Sequence, residues 1–261
     1  MASDLVLPFP EAKVFVEILT SGQAAVFRCD WGAPATPVAL KIYHPGSVLE
    51  RNIREVAALR LMTCPQVCRL VDAGERPIRG ISCQFMAMGY VDGHSLQQAM
   101  RQGTGFSEAE VLELLAACAK GIATIWAQRM VHRDIKPGNV MLSSSGPVIV
   151  DLGFARHLDL PALTSAGKTC GTYGYMSPEQ WQGVRKLTSK SDIFSLAVTA
   201  CEMLTGTHPT AGDQNRLAST SGFPVPKMTP PLSSLIKAML SPWPHLRPGP
   251  KEVLKQLEAI K

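Results

Sequence analysis

The hydrophobic period of this chain changes once, near residue 93, and that change limits the folds open to it. Before it, VEIL, AAVFRCDW and PVALKIY are short β-branched or aromatic segments separated by SG, GAP and HPG, the punctuation of an antiparallel meander. VCRLVDAG and ISCQFMAM are further strand candidates. Between the two groups, Val48, Leu49, Ile53, Val56, Leu59 and Met62 recur at three-to-four spacing, which predicts an amphipathic helix over residues 48–62 lying on that sheet. After the change the chain is helical. Ser107 with Glu110 forms a capping box, Val111, Leu115, Cys118, Ile122 and Trp126 continue one apolar face, and residues 191–205, 232–241 and 250–260 read as further helices. The expected class is α+β, a small antiparallel-sheet lobe followed by a larger helical lobe, and a cleft between lobes is a usual place for a ligand.

Composition narrows the function classes. A chain of 261 residues, 46% hydrophobic and 18% charged, buries a sizeable core and is far from the composition of a disordered segment. The net charge is +5, but Lys and Arg are scattered with no run of five or six, so neither nucleic acid nor a membrane is expected as a partner. The seven cysteines form no CxxC pair and read as free or buried thiols. MASDLVLPFPEAK is no signal peptide, and the apolar stretch at 111–130 is broken by Lys120, Gly121 and Arg129, so a cytoplasmic protein is expected. His94, His157, His208 and His245 show no metal-ligand spacing and read as ordinary polar positions.

The chemistry gathers around VHRDIKPGNVML at 131–142, a polar loop between apolar runs. Asn139 opens the strand candidate NVML and Asp151 closes PVIVD, with SSSG as the turn between them. If these strands pair about residue 145, the two oxygen side chains meet at the open end of the hairpin, a donor set suited to Mg²⁺. Asp134 lies in the loop feeding the first strand, where it can accept a proton or orient a hydroxyl. In PVALKIY, alternation puts Ala39 and Lys41 on one face and Val38, Leu40 and Ile42 on the other, so a flat ring could lie on Ala39 with phosphates near Lys41. A solvent-facing strand lysine is the simpler reading of Lys41 alone; Glu55 on the following helix could fix it by an ion pair.

VALK at 38–41, Glu55, HRDIKPGN at 132–139, DLG at 151–153, CGTYGYMSPE at 170–179, SDIFSLAV at 191–198 and HLRP at 245–248 come in an order and spacing that resembles the eukaryotic-like, Hanks-type serine/threonine protein kinases. The resemblance covers about residues 12–260, and SPEQW and EMLTGTHP are bacterial in style. It implies a bilobal kinase-like fold as one domain over 1–261, with an N-lobe to about residue 88, a hinge at about 89–92 and a C-lobe from about 93. It implies ATP and Mg²⁺ as cofactors, with Lys41 on the α- and β-phosphates, Glu55 as its partner, and Asn139 and Asp151 as metal ligands. Asp134 would be the catalytic base, with Lys136 and Thr172 beside it, which favours serine and threonine acceptors on protein substrates. Adenine would contact Val26, Ala39 and Met141, with Met88 as gatekeeper and Gly89, Tyr90 and Val91 as hinge. Leu59, Leu70, His132 and Leu152 would stack, Glu179 would pair with Arg247, and Asp192 would fix the backbone of the catalytic loop.

The glycine-rich loop departs most from the family pattern: ILTSGQAAVF keeps only Gly22, and its register between Val26 and Phe27 is open. Two rival readings follow, a pseudokinase scaffold or weakly active nucleotide-binding module, and a small-molecule phosphotransferase, against which Lys136, CGTYGYMSPE and the Glu179/Arg247 pair argue. Arg133 before Asp134 resembles kinases whose activation segment is ordered by phosphate, so autophosphorylation is expected at Thr164, Ser165 or Thr169. The chain ends soon after its last helix, so no sensor, anchor or docking domain is expected and the signal would come from a regulatory protein partner, phosphorylation or expression.

Overall fold

The computed structural model describes residues 8–20, 24–45, 49–103, 105–158 and 171–260. Gly22, Val48, Thr164, Ser165, Thr169 and Cys170 lie outside the described residues. The contacts divide the chain into two compact units, Met1–Met62 with Cys68–Asp92, and Thr63–Val67 with Gly93–Lys261.

In the first unit, β1 (Ala12–Thr20), β2 (Ala24–Trp31), β3 (Thr36–Tyr43), β4 (Leu70–Ile78) and β5 (Ile81–Gly89) form one sheet in the order β1-β2-β3-β5-β4, every neighbouring pair antiparallel. One face is apolar: Phe27, Cys29, Trp31, Val38, Leu40 and Ile42 are buried there with Phe85. Phe9, which precedes β1, joins them; its ring lies 5.0 Å from Phe85 and 6.1 Å from Trp31. The opposite face carries Ala39 and Lys41, as strand alternation requires.

Helix α1 (Leu49–Arg60) forms inside the expected span, and of the expected apolar stripe Leu59 and Met62 are buried and Val56 is half-buried, while Ile53 faces out. Ile53 is 54% exposed, while Asn52, Glu55, Leu59 and Met62 are buried at three-to-four spacing. The inward stripe is polar at its N-terminal half because each polar group finds a partner: Asn52 Nδ2 donates to Gln84 Oε1 at 2.9 Å, and Glu55 receives Lys41 and Tyr43. A pattern read on hydrophobicity alone misses Asn52 on this face and puts Ile53 there instead.

The second unit contains β6 (Gly93–Ser95), α2 (Leu96–Arg101), α3 (Glu108–Ala127), β7 (Met130–Val131), β8 (Val140–Ser143), β9 (Gly146–Ile149), β10 (Arg156–His157), α4 (Pro178–Trp181), α5 (Ser189–Thr205), α6 (Gln214–Leu217), α7 (Pro230–Met239) and α8 (Pro250–Ile260). Ser107 and Glu110 cap α3 reciprocally, and Ser95 with Gln98 does the same for α2. Helix α3 packs against α5 and α8, and the core runs through Val111, Leu115, Cys118 and Ile122 of α3, Leu196 and Ala200 of α5, Ile236 of α7 and Leu257 of α8. The six described cysteines are all free; burial pushes the thiols of Cys118 and Cys201 up to about 12. Among the described residues, no helix is long and apolar enough to cross a membrane.

Phe9→Ala is expected to cost about 3–5 kcal/mol in urea unfolding, as for a large core aromatic. Ile53→Ala is expected to stay within about 0.5 kcal/mol of wild type, as for an exposed side chain. A loss of about 2 kcal/mol or more at Ile53 would contradict its outward position on α1.

Candidate active site

Cross-strand pairing assembles the first group of side chains. Val26 lies opposite Lys41, and Ala39 lies opposite both Arg28 and Met88, so Val26, Ala39, Lys41 and Met88 share one face of the sheet. Phe27 is buried in the core, so Val26 is the one of the two on the Ala39 and Lys41 face. Lys41 Nζ sits 2.8 and 3.0 Å from the two Glu55 oxygens. Tyr43, two residues along the strand, donates its hydroxyl to Glu55 at 2.9 Å and lays its ring 5.0 Å from Lys41 Nζ. Sequence reasoning missed Tyr43, although period-two alternation places it on the Lys41 face. Beyond Met88, the Gly89 amide donates to Arg69 O at 2.9 Å and the Tyr90 amide to Pro37 O at 3.1 Å; the Arg28 guanidinium lies 5.3 Å from the Tyr90 ring centroid, and Val91 follows half-buried.

The second group is held in the loop after β7. Both oxygens of the buried Asp192, in the first turn of α5, accept backbone amides of that loop, His132 at 2.9 Å and Arg133 at 2.8 Å. Arg133 has φ 68°, a left-handed conformation that a bulky residue holds only when its surroundings impose it. Its Nε donates to Phe154 O at 2.8 Å, and its carbonyl accepts Gln180 Nε2 at 2.8 Å. Asp134 follows, only 2% exposed. Its Oδ1 accepts the Thr172 hydroxyl at 2.7 Å, and its Oδ2 accepts Asn139 Nδ2 at 2.8 Å and lies 3.0 Å from Lys136 Nζ. Lys136 Nζ also donates to Thr172 Oγ1, which closes the ring of contacts.

The hairpin differs from expectation by half a residue. Val140 pairs with Ile149 and Ser143 with Gly146, so the turn is Ser144 and Ser145, and Asn139 belongs to a short 3-10 turn, Pro137–Asn139, instead of opening the strand. The amide of Val150, not a residue one further on, meets the Asn139 carbonyl at 2.9 Å. Asp151 stands beyond β9 with φ 63° and accepts the Gly153 amide at 3.0 Å. The two side chains are therefore set by loop geometry and not by strand pairing. Asn139 spends its Nδ2 on Asp134 O and Oδ2, which leaves the amide oxygen as its remaining polar atom. Among the described residues, no three His, Cys, Asp or Glu side chains cluster as a metal cage. An amide oxygen and a carboxylate fit a hard cation that completes its shell with water and phosphate. Met141 lies half-buried on β8, opposite Ser95 and Val148.

The segment from 171 to 179 is tied to the same loop. Gly171 has φ 133°, and a Cβ there would lie 2.6 Å from Arg133 O and 2.5 Å from Gln180 Nε2, so only glycine passes between them. Glu179 and Arg247 form a two-pronged pair at 2.7 and 2.8 Å, buried over the Phe194 ring, with Ser191 Oγ donating to Glu179 at 2.6 Å. Burial alone would raise the Glu179 carboxyl, but Arg247 and Ser191 outweigh it and hold it below the usual range.

The profile of the protein kinase domain family matches residues 16–257. The chain is 33% identical over 245 residues to the probable serine/threonine-protein kinase PkwA of Thermomonospora curvata, an alignment covering 90% of this chain and 32% of that protein. It is 34% identical over 201 residues to the serine/threonine-protein kinase PknA of Corynebacterium glutamicum, covering 74% and 43%, respectively. With the probable serine/threonine-protein kinase PknB of Lactococcus lactis it shares 34% over 166 residues, 63% of this chain and 26% of that one. The chain thus spans less than half the length of these relatives.

Removing Arg247 leaves a buried carboxylate without its partner, so Arg247→Ala is expected to cost about 3–5 kcal/mol near neutral pH. The depressed Glu179 group contributes its stability above the ordinary value of 4.5 and loses it as pH falls through the lower folded value. The gap between wild type and Arg247→Ala should therefore narrow on acidification below that range; an unchanged gap in urea titrations would contradict this.

Proposed function

Because this chain belongs to the protein kinase domain family, and to the bacterial serine/threonine branch its relatives represent, we propose that it transfers the γ-phosphoryl group of ATP to serine or threonine hydroxyls of proteins. The observation that carries this reading is the ring around Asp134: both carboxylate oxygens are engaged, by Thr172 on one side and by Asn139 and Lys136 on the other. These contacts hold the carboxylate in one orientation toward an incoming hydroxyl.

In the reaction the bond from the γ-phosphorus to the β-bridging oxygen breaks, and a bond to the acceptor oxygen forms. Asp134 orients the acceptor hydroxyl and takes its proton. Lys136, beside it, balances negative charge on the moving group, and Thr172 locks Lys136 to Asp134. Lys41 holds the α- and β-phosphates, its ammonium set by Glu55 and kept there by the Tyr43 hydroxyl. Val26, Ala39, Met88 and Met141 offer apolar contact to adenine, and Gly89 to Val91 its hinge. Asn139 and Asp151 supply the oxygen ligands for Mg²⁺, which when bound neutralises phosphate charge. Gly22 is the one glycine left to the phosphate loop of this reading. Thr164, Ser165 and Thr169 are the proposed autophosphorylation sites, and other proteins, including a regulatory partner, the proposed company of this domain in the cytoplasm.

Transfer of labelled γ-phosphate from Mg-ATP to the chain itself and to a basic acceptor protein tests this. Asp134→Asn, which keeps the shape and removes the base, is expected to lower the rate by about 10²–10⁴-fold. Mass spectrometry of the labelled wild type should find phosphate on Thr164, Ser165 or Thr169. Wild-type protein that binds nucleotide and labels nothing would overturn the reading.

A further inference from the structure

Two residues past Thr172, the main chain from Gly174 to Met176 is gripped by side chains from a distant turn. His208 Nδ1 accepts the amides of Gly212 at 2.9 Å and Thr210 at 3.2 Å, so the ring hydrogen sits on Nε2, which donates to Gly174 O at 2.7 Å. Gln214, completely buried, takes the Gly174 amide on its Oε1 at 2.9 Å and gives its Nε2 to Met176 O at 2.8 Å. Tyr175 O, between them, accepts Ser195 Oγ at 2.7 Å. The turn is rigid on its own account: Thr210 Oγ1 and the Asp213 amide bind each other's main chain, and Asp213 caps α6. Gly174, at φ 91°, lies against it so closely that a Cβ would meet Gly212 Cα at 3.3 Å and His208 Nε2 at 3.4 Å.

We propose that the turn at residues 208–214 is a positioning device for the acceptor polypeptide, with His208 and Gln214 fixing the strip 174–176 on which the residues beside the acceptor hydroxyl lie. The inference rests on the phosphotransfer reading. A buried amide or carbonyl without a partner is costly, so removing either side chain leaves main-chain groups of the strip without the partner they have here. Both act through the strip and touch no reacting atom. The strip continues directly from Thr172, whose hydroxyl is bonded to Asp134, so its placement bears on where an acceptor chain can approach that carboxylate.

Steady-state transfer to a synthetic basic peptide with one serine and one threonine separates positioning from mere structure. His208→Ala and Gln214→Ala are each expected to raise KM for the peptide about tenfold, leaving KM for ATP within about twofold. His208→Gln, which can donate to Gly174 O and accept from the turn, should recover most of the loss. Should His208→Ala fail to fold, Gly174→Ala and His208→Gln carry the same comparison. An unmoved peptide KM in folded variants, or parallel rises in both KM values without rescue, would overturn the proposal. Wild-type protein that never labels the peptide would instead overturn the phosphotransfer reading on which it rests.

Discussion

One buried carboxylate sets the second unit's chemistry. Asp192 is almost wholly removed from water, and its two oxygens are spent on the amides of His132 and Arg133. Burial pushes its carboxyl up from the usual range, while His132, Arg133 and those two amides pull the other way. The arrangement is expensive in isolation, because a charge taken out of water needs more than one partner to recover its solvation. What it secures is conformation: the loop is turned at Arg133 through a left-handed residue, and Asp134 emerges next in the chain with both oxygens facing Thr172, Asn139 and Lys136.

The first unit solves a similar problem with a different device. A lysine stem is long and mobile, so the Lys41 ammonium needs a fixed partner. Glu55 reaches it from α1 and is itself held by Tyr43, so the ammonium stands between a carboxylate and an aromatic ring. Its cost appears on α1, whose buried face must accept Asn52 and Glu55 where an ordinary amphipathic helix would place aliphatic side chains.

That cost explains which parts of the molecule could be read from the sequence. Strands β2, β3 and β5 were legible because period two and the flanking turn residues agree, and Ala39 and Lys41 fall on the face that alternation assigns. On α1 the pattern placed Leu59 and Met62 inside and Glu55 was expected against Lys41, but Ile53 lies outside and Asn52 inside, because Asn52 finds its partner, Gln84, on β5. The hairpin failed by half a residue because Asn139 belongs to a 3-10 turn that no local pattern announces. His208 read as an ordinary polar position and Gln214 drew no reading: their partners, Gly174 and Met176, are more than thirty residues away, and what they hold is main chain, which leaves no mark in composition. The residues around Asp134 were gathered by a resemblance of ordered motifs, and the structure brings Asp134, Lys136, Asn139 and Thr172 into contact.

Helix α5 ties these separate observations together. Ser191 bonds Glu179, Asp192 holds the loop before Asp134, Phe194 underlies Arg247, Ser195 donates to Tyr175 O, and Glu202 accepts the Tyr175 hydroxyl at 2.5 Å. Loops carry main-chain groups that no ladder satisfies, and a buried loop needs partners for them. Here one helix, buried on most sides and polar where it meets loops, supplies many of them. The loop bearing Asp134 and the strip following Thr172 are thus both fixed to the same helix, which keeps the two in register. Residues of α5 that touch no ligand then constrain the site as strictly as those that would.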